Sequence, residues 1–235
     1  MSIGGVLSEA WSVYQRFLGR FFMTALVVYV LLDLLTAVAD RAAGDSVGAG
    51  VFWAVVAILI SVVGYFWVQA ALVETVNDVR DGRADRSIGE TYSAVRPRLG
   101  AATIAGVLAA IGIGIGLVLL IVPGLYLLTI WSMLIPVIVI EGRSAGEAFT
   151  RSREVVRGNG WSVLGLVIIT FLLVAIASTI IRLLFSPLPN FLDVWLGSLV
   201  AHSLTVPFAA AALTTAYFKL VGQTEPASAA PLAAP

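Results

Sequence analysis

The sequence predicts an all-α integral membrane protein of six transmembrane helices, built as three repeats of an interfacial amphipathic helix plus a transmembrane hairpin. Three observations carry this expectation. The chain is 60% hydrophobic and only 12% charged, about half the charge density of a soluble domain. Its apolar residues fall into long runs, and its basic residues fall almost entirely between alternate runs. One soluble core of 235 residues cannot bury that much apolar side chain, so acyl chains must solvate the remainder.

Crossing about 30 Å of hydrocarbon at about 1.5 Å per residue takes roughly 20 apolar residues. Six stretches meet this approximately: Phe21–Val38, Val51–Val73, Ala101–Val122, Leu125–Ile140, Trp161–Leu184 and Leu192–Tyr217. The third and fourth meet at Val122-Pro123-Gly124, read as a tight turn between antiparallel helices. A single bent or re-entrant element is the alternative, and two crossings fit the length better. Ala37-Val38-Ala39 resembles a signal-peptidase site, but the long aromatic segment before it, interrupted by Asp33, argues against cleavage.

Charge sets the orientation. Arg16, Arg20, Arg80, Arg83, Arg86, Arg96, Arg98, Arg143, Arg151, Arg153, Arg157 and Lys219 fall on one side, and only Arg41 and Arg182 on the other. Twelve against two places both termini in the cytoplasm by the positive-inside rule. Arginine makes up 13 of the 14 basic residues, which with the Ala, Val and Gly richness suggests a GC-rich bacterium, hence its inner membrane.

Internal similarity supplies the repeat. Glu9-Ala10-Trp11-Ser12, Glu90-Thr91-Tyr92-Ser93 and Glu147-Ala148-Phe149-Thr150 share one pattern, each just ahead of a pair of spans. The units run about 3–80, 86–141 and 143–221, one six-helix domain, and the Ala/Pro-rich residues 222–235 read as a disordered tail. Ser87 with Glu90 and Ser144 with Glu147 make capping boxes, whereas Val6 replaces the serine in the first copy. Gly19, Gly100 and Gly158 suit left-handed C-caps, and Pro97 should end the second helix early. The first helix sets Val6, Ala10, Val13 and Phe17, with Leu7, Tyr14 and Leu18, opposite Ser8, Glu9, Ser12, Gln15 and Arg16; the third sets Phe149, Ser152, Val155 and Val156 opposite Glu147, Arg151, Glu154 and Arg157. Glu147 and Arg151 also form an i,i+4 pair, and such helices lie in the interface plane.

Small residues mark helix contacts in lipid: Ala102, Gly106, Ala110 and Gly114 on the third span, a second motif at Gly112 and Gly116, and Gly197, Ala201, Thr205 and Ala209 on the sixth. Packing within the monomer is the favoured use; homodimerisation stays open. Trp53, Trp161, Trp195 and Tyr217 sit where interfacial aromatics do. Pro136 and Pro207 are kink sites.

Candidate intramembrane polar residues are Asp33, Gln69, Glu74, Arg182 and His202, with Asp33 and Arg182 at similar outer depth. They would either line a polar route through the bundle or serve as helix–helix hydrogen bonds and interfacial anchors. With no cysteine and one histidine, disulfides, thiol nucleophiles and Cys/His zinc sites are excluded. P-loop, GxSxG and HExxH motifs are missing. Asp81-Gly82-Arg83-Ala84-Asp85-Arg86 fails the phosphatidyltransferase pattern because Asp85 stands where alanine is required. Zero net charge gives no field for nucleic acid. The basic loops can meet anionic head groups or simply satisfy the topology rule.

From Gly124 to about Leu173 the chain resembles a family of bacterial polytopic membrane proteins related to the membrane domain attached to some glycerophosphoryl diester phosphodiesterases. The resembling residues are Glu141-Gly142-Arg143-Ser144, Glu147-Ala148-Phe149, Arg151-Ser152, Val156-Arg157-Gly158 and Trp161. This resemblance implies a membrane module of uncharacterised function and no phosphodiesterase chemistry, which belongs to a separate soluble barrel. The expected function is therefore non-enzymatic and without cofactor: a membrane scaffold that binds lipid through its interfacial helices and a protein partner through its cytoplasmic loops. The alternative is a small transporter or lipid-handling protein with an intramembrane polar site.

Overall fold

The computed structural model describes residues 1–43, 47–187 and 190–224, and these form helices, turns and no strands. The order is α1 Ile3–Arg16, α2 Leu18–Ala43, α3 Val47–Asp78, α4 Ile88–Val95, α5 Leu99–Leu119, α6 Ile121–Ile130, α7 Leu134–Glu141, α8 Ala145–Val156, α9 Gly160–Phe185 and α10 Asn190–Thr224. Five helical stretches among the described residues are long and apolar enough to cross a membrane: Val51–Asp78, Ile88–Leu119, Ile121–Glu141, Gly160–Phe185 and Trp195–Gly222. A sixth arises if α1 and the described part of α2, bent by 81°, are taken together.

The long helices wear their apolar side chains outward. Val118 is 87% exposed, Phe171 69%, Leu184 74% and Leu59 62%. Burial instead follows small residues and a few aromatics: Ala70, Ala71, Ala102, Ala105, Ala211 and Ala212 are fully buried, as is Phe21. That inversion is what a lipid solvent permits, since close backbone approach and van der Waals fit hold helices together there.

Where the chain turns, the structure corrects several expectations. The third and fourth apolar stretches part at Leu120, alone in extended conformation at φ −155° and ψ 127°, two residues before the expected turn. Pro123 and Gly124 instead occupy the first turn of α6. Proline is tolerated there because its missing N–H would have had no partner. Gly124 serves close approach: a Cβ on it would lie 2.5 Å from the Leu117 backbone nitrogen, and one on Gly116 2.9 Å from the Gly124 Cα. Gly112 faces Trp131 in the same contact. The packed face of α5 is therefore Ala102, Ala105, Ala109, Gly112 and Gly116, with Gly106 of the expected stripe packed against Phe66; Ala110 and Gly114 of that stripe are exposed, and Gly114 has open space beside it. Gly124→Ala should destabilise the hairpin by about 1–3 kcal/mol through overpacking against rigid backbone. Gly114→Ala should lose nothing, and thermal melts of the two variants in one detergent decide it.

Pro136 breaks the fourth stretch as expected. α6 ends at Ile130 and α7 starts at Leu134, because the proline ring collides with the carbonyl four residues earlier and offers it no N–H. Pro97 likewise ends α4 through a 3₁₀ turn over Arg96–Arg98, whereas α10 continues through Pro207.

Of the three glycines expected as left-handed caps, only Gly158 has positive φ, at 81°; Gly82 (86°) and Gly142 (70°) are the others that do. Gly19 and Gly100 lie inside α2 and α5, since α1 joins α2 through a bend at Phe17 and α4 joins α5 through the Pro97 turn. Both capping boxes form, with the Ser87 and Ser144 hydroxyls accepting from the Glu90 and Glu147 amides at 3.3 and 3.5 Å. α1 starts four residues earlier than its pattern would cap, at Ile3 behind an uncapped Ser2. α10 runs on through Gly222 to Thr224, three residues into the expected tail; 225–235 lie outside the described residues.

Candidate functional site

The basic residues that the sequence assigns to one face gather at one end of the bundle, tied there by carboxylates and carbonyls. Arg20 of α2 pairs with Asp78 of α3 at 2.8 Å, the two side chains only 15% and 6% exposed. Arg86 pairs with Glu74, and its backbone N–H donates to Asp78 at 3.4 Å. Lys219 meets Glu9 at 2.7 Å and the Gly5 carbonyl at 3.1 Å, joining α10 to α1. The Arg16 guanidinium donates to the Gly82 carbonyl at 3.2 Å, and Arg80 lies 4.1 Å over the Phe218 ring.

Next to this belt, the α7–α8 joint is organised by Glu141. Arg151 donates its Nε to both carboxylate oxygens at 2.8 and 2.9 Å, the Tyr217 hydroxyl donates at 2.8 Å, and Arg143 approaches at 3.4 Å. Gly142 lets the chain reverse in the left-handed region. The expected Glu147–Arg151 pair is not made, because the Glu147 carboxylate is held in the cap, where the Ser144 hydroxyl and amide donate to one of its oxygens at 2.8 and 3.0 Å, and Arg151 turns to Glu141. Those bonds hold the Glu147 carboxyl below its ordinary pKa, and the Glu141 carboxylate raises that of Arg151. Tyr217, expected as an interfacial anchor, is buried as the partner of Glu141. Nothing in the sequence signals that bond, which spans 76 residues.

Ser152 sits at the centre of the same joint, fully buried. Its hydroxyl donates to the Ile130 carbonyl at 2.7 Å and accepts from the Met133 amide at 3.3 Å. It thereby satisfies the acceptor and donor that the Pro136 break strips of helical partners.

Beside it, α8, α6 and the start of α9 enclose an open cavity of about 470 Å³ lined by Tyr126, Ile130, Thr150, Arg153, Arg157 and Gly160, among others. Its wall is mostly apolar, and both arginines are exposed, Arg153 on α8 and Arg157 at its C-terminal cap. Neither arginine is paired with a carboxylate among the described residues, and Glu154 at the rim lies 3.7 Å from Arg151. Sequence reasoning weighed the basic loops as head-group contacts or topology signals without singling out this pair.

Of the candidate intramembrane residues, Arg182 and His202 lie within electrostatic reach of one another, while Glu74 and Gln69 make their bonds elsewhere. Glu74 is at the charged end with Arg86. Gln69 hydrogen-bonds Tyr65 one turn away on α3. The His202 ring lies 5.1 Å from that of Tyr29, its Nδ1 without a hydrogen bond. Arg182 is exposed on α9. The Asp33 side chain, and with it the expected Asp33–Arg182 pair, lies outside the described residues. No cluster of three metal-ligating side chains occurs among the described residues.

Fold and site together define a helical bundle with five to six helices fit to cross a membrane and its described ion pairs gathered at one end. The chain belongs to the family described as "Domain of unknown function (DUF7847)", whose model matches residues 94–224. No curated protein and no solved structure matches it.

Proposed function

We propose that this chain is a non-catalytic integral protein of a bacterial cytoplasmic membrane, both termini inside, that binds anionic phospholipid at its arginine-bearing end and thereby acts as a membrane scaffold. Three units of a short helix plus two membrane segments make up the fold. Their support is a shared burial register. In the aligned hexapeptides starting at Glu9, Glu90 and Glu147, exposure agrees at five of six positions, with Ala10, Thr91 and Ala148 buried and Tyr14, Val95 and Ser152 buried four residues later. Kinship with the membrane domain of glycerophosphoryl diester phosphodiesterases belongs to the same proposal, and its motif residues Glu141, Arg143, Arg151 and Ser152 are those that build the α7–α8 joint.

The observation that carries the lipid reading is the cavity at Arg153 and Arg157. Two guanidiniums that pair with no carboxylate among the described residues stand over a mostly apolar wall, with Glu154 at the rim turned to Arg151, which matches a phosphate above acyl chains. The amides of the first turn of α9 open nearby, behind Asn159, whose side chain makes no cap; helix N-termini favour anions. A polar route for transport has less support, because its residues are dispersed.

Native mass spectrometry of the full chain tests this, with phosphatidylglycerol and phosphatidylcholine in competition. The wild type should retain phosphatidylglycerol preferentially. Arg153→Gln with Arg157→Gln should weaken that retention about thirtyfold, at about 1 kcal/mol per arginine. Equal retention of the two lipids by the wild type would refute the reading.

A further inference from the structure

We infer that the α5–α6 hairpin does not cross the bilayer: it is a re-entrant wedge whose tip docks among acyl chains. Composition at the tip is the first reason. Leu117, Val118, Leu119, Leu120, Ile121 and Val122 are 40–87% exposed in unbroken succession. No charged residue occurs between Arg98 and Glu141. In the sequence, the breaks between the first and second and between the fifth and sixth apolar stretches differ, with Asp40, Arg41 and Asp45, and Ser186, Asn190 and Asp193, around them. A tip reaching water would set six bare apolar side chains in it.

Reach is the second reason. Ser152 is bonded to the Ile130 carbonyl and flanked by Arg151, Arg153 and Glu154, whose charges require water or head groups. The break after Ile130 is therefore held within a side chain's length of the charged surface. From there α6 has ten residues, about 15 Å at helical rise, against about 30 Å of hydrocarbon; the 21 residues of Ile121–Glu141 would cross only with Ile130 near mid-bilayer, where its bond to Ser152, beside three charged residues, does not place it. Adding a whole helix diameter of about 10 Å still leaves the tip short of the far face. α5 alone is long enough to span, but Gly116 and Gly124 lock it to α6, so the hairpin must tilt and the shorter arm sets its depth.

Backbone pairing is the third. Irregular backbone facing lipid is costly because nothing there can hydrogen-bond it. This turn is one residue long, and that residue is paired on both sides: the Leu120 N–H donates to the Gly116 carbonyl at 3.0 Å and its carbonyl accepts from Gly124 at 3.5 Å. Pro123 removes one further donor. Both ends of the hairpin stay at the charged end, so the wedge inserts from the arginine-bearing side and leaves the one-sided charge pattern intact.

The cysteine-free chain allows single-cysteine variants of the full-length protein: Leu120→Cys at the tip, Ser186→Cys on the opposite outer connection and Ala84→Cys in the basic loop. A membrane-impermeant maleimide should label Ser186→Cys from outside intact cells and Leu120→Cys from neither face until detergent is added. A nitroxide at Leu120→Cys in proteoliposomes should be relaxed strongly by oxygen and weakly by a nickel chelate. Outside labelling of Leu120→Cys, or relaxation by the chelate, overturns the wedge. So does dipolar broadening between two tips, which would assign the surface to a second copy. Should Ser186→Cys be labelled only from inside, the proposed orientation fails, while the nitroxide depth still decides the wedge.

Discussion

Asp78→Ala should cost about 3 kcal/mol or more of stability, the largest loss expected of any single substitution in the charged belt. Arg20 is held between α2 and α3 with its side chain 15% exposed, and Asp78, 6% exposed, is the one carboxylate paired with it among the described residues; the Thr91 hydroxyl at 3.5 Å adds a weaker contact. Removing the carboxylate strands a guanidinium that water reaches poorly, and breaking such a pair costs about 3–5 kcal/mol where burial is complete. The amide of Arg86 loses an acceptor as well. Glu9→Gln tests the contrast, because the Lys219–Glu9 pair is 33% and 54% exposed and exposed pairs are worth at most about 1 kcal/mol. Unfolding in a single detergent, followed by tryptophan fluorescence, should rank Asp78→Ala far below Glu9→Gln. Equal losses would mean that the belt is solvated throughout and does not clamp α2 to α3.

Long apolar runs and the capping boxes were legible in the sequence because each depends on neighbours within a few residues. Ser144 and Glu147 find one another whatever the rest of the chain does. The turn at Leu120 was misplaced for a related reason. Pro123 and Gly124 carry a turn signal, yet proline fits the first turn of a helix equally well, and the choice rests on Gly116 and Gly124 meeting across the hairpin. Arg151 shows the limit more sharply. Spacing makes Glu147 its i,i+4 partner, but the cap holds Glu147 and that pair does not form; the carboxylate Arg151 takes instead lies across a chain reversal at Gly142. Depth along a span can be read from sequence; the direction a residue faces around its helix cannot. Glu74, Gln69, Arg182 and His202 therefore looked like one polar site, yet of these Arg182 and His202 are the pair near enough to interact.

Ser152→Ala is the second large effect, expected at about 2–4 kcal/mol although it deletes one oxygen atom. The hydroxyl is the partner of two buried backbone groups, and each group left unsatisfied costs about 1–3 kcal/mol. Without it, the Ile130 carbonyl and Met133 amide have no replacement in a cluster built of Met133, Leu134, Val137, Val155 and Val156. Ser152→Thr keeps the hydroxyl and should recover part of the loss, whereas Ser93→Ala, at the exposed position of the second unit, should change little. The break also fixes where α8 lies relative to α6, so Ser152→Ala should loosen the cavity wall and lower phosphatidylglycerol retention, with Arg153 and Arg157 intact. If stability falls while lipid retention is untouched, the serine only mends the backbone at Pro136, and the cavity owes its shape to the Glu141–Arg151 joint instead.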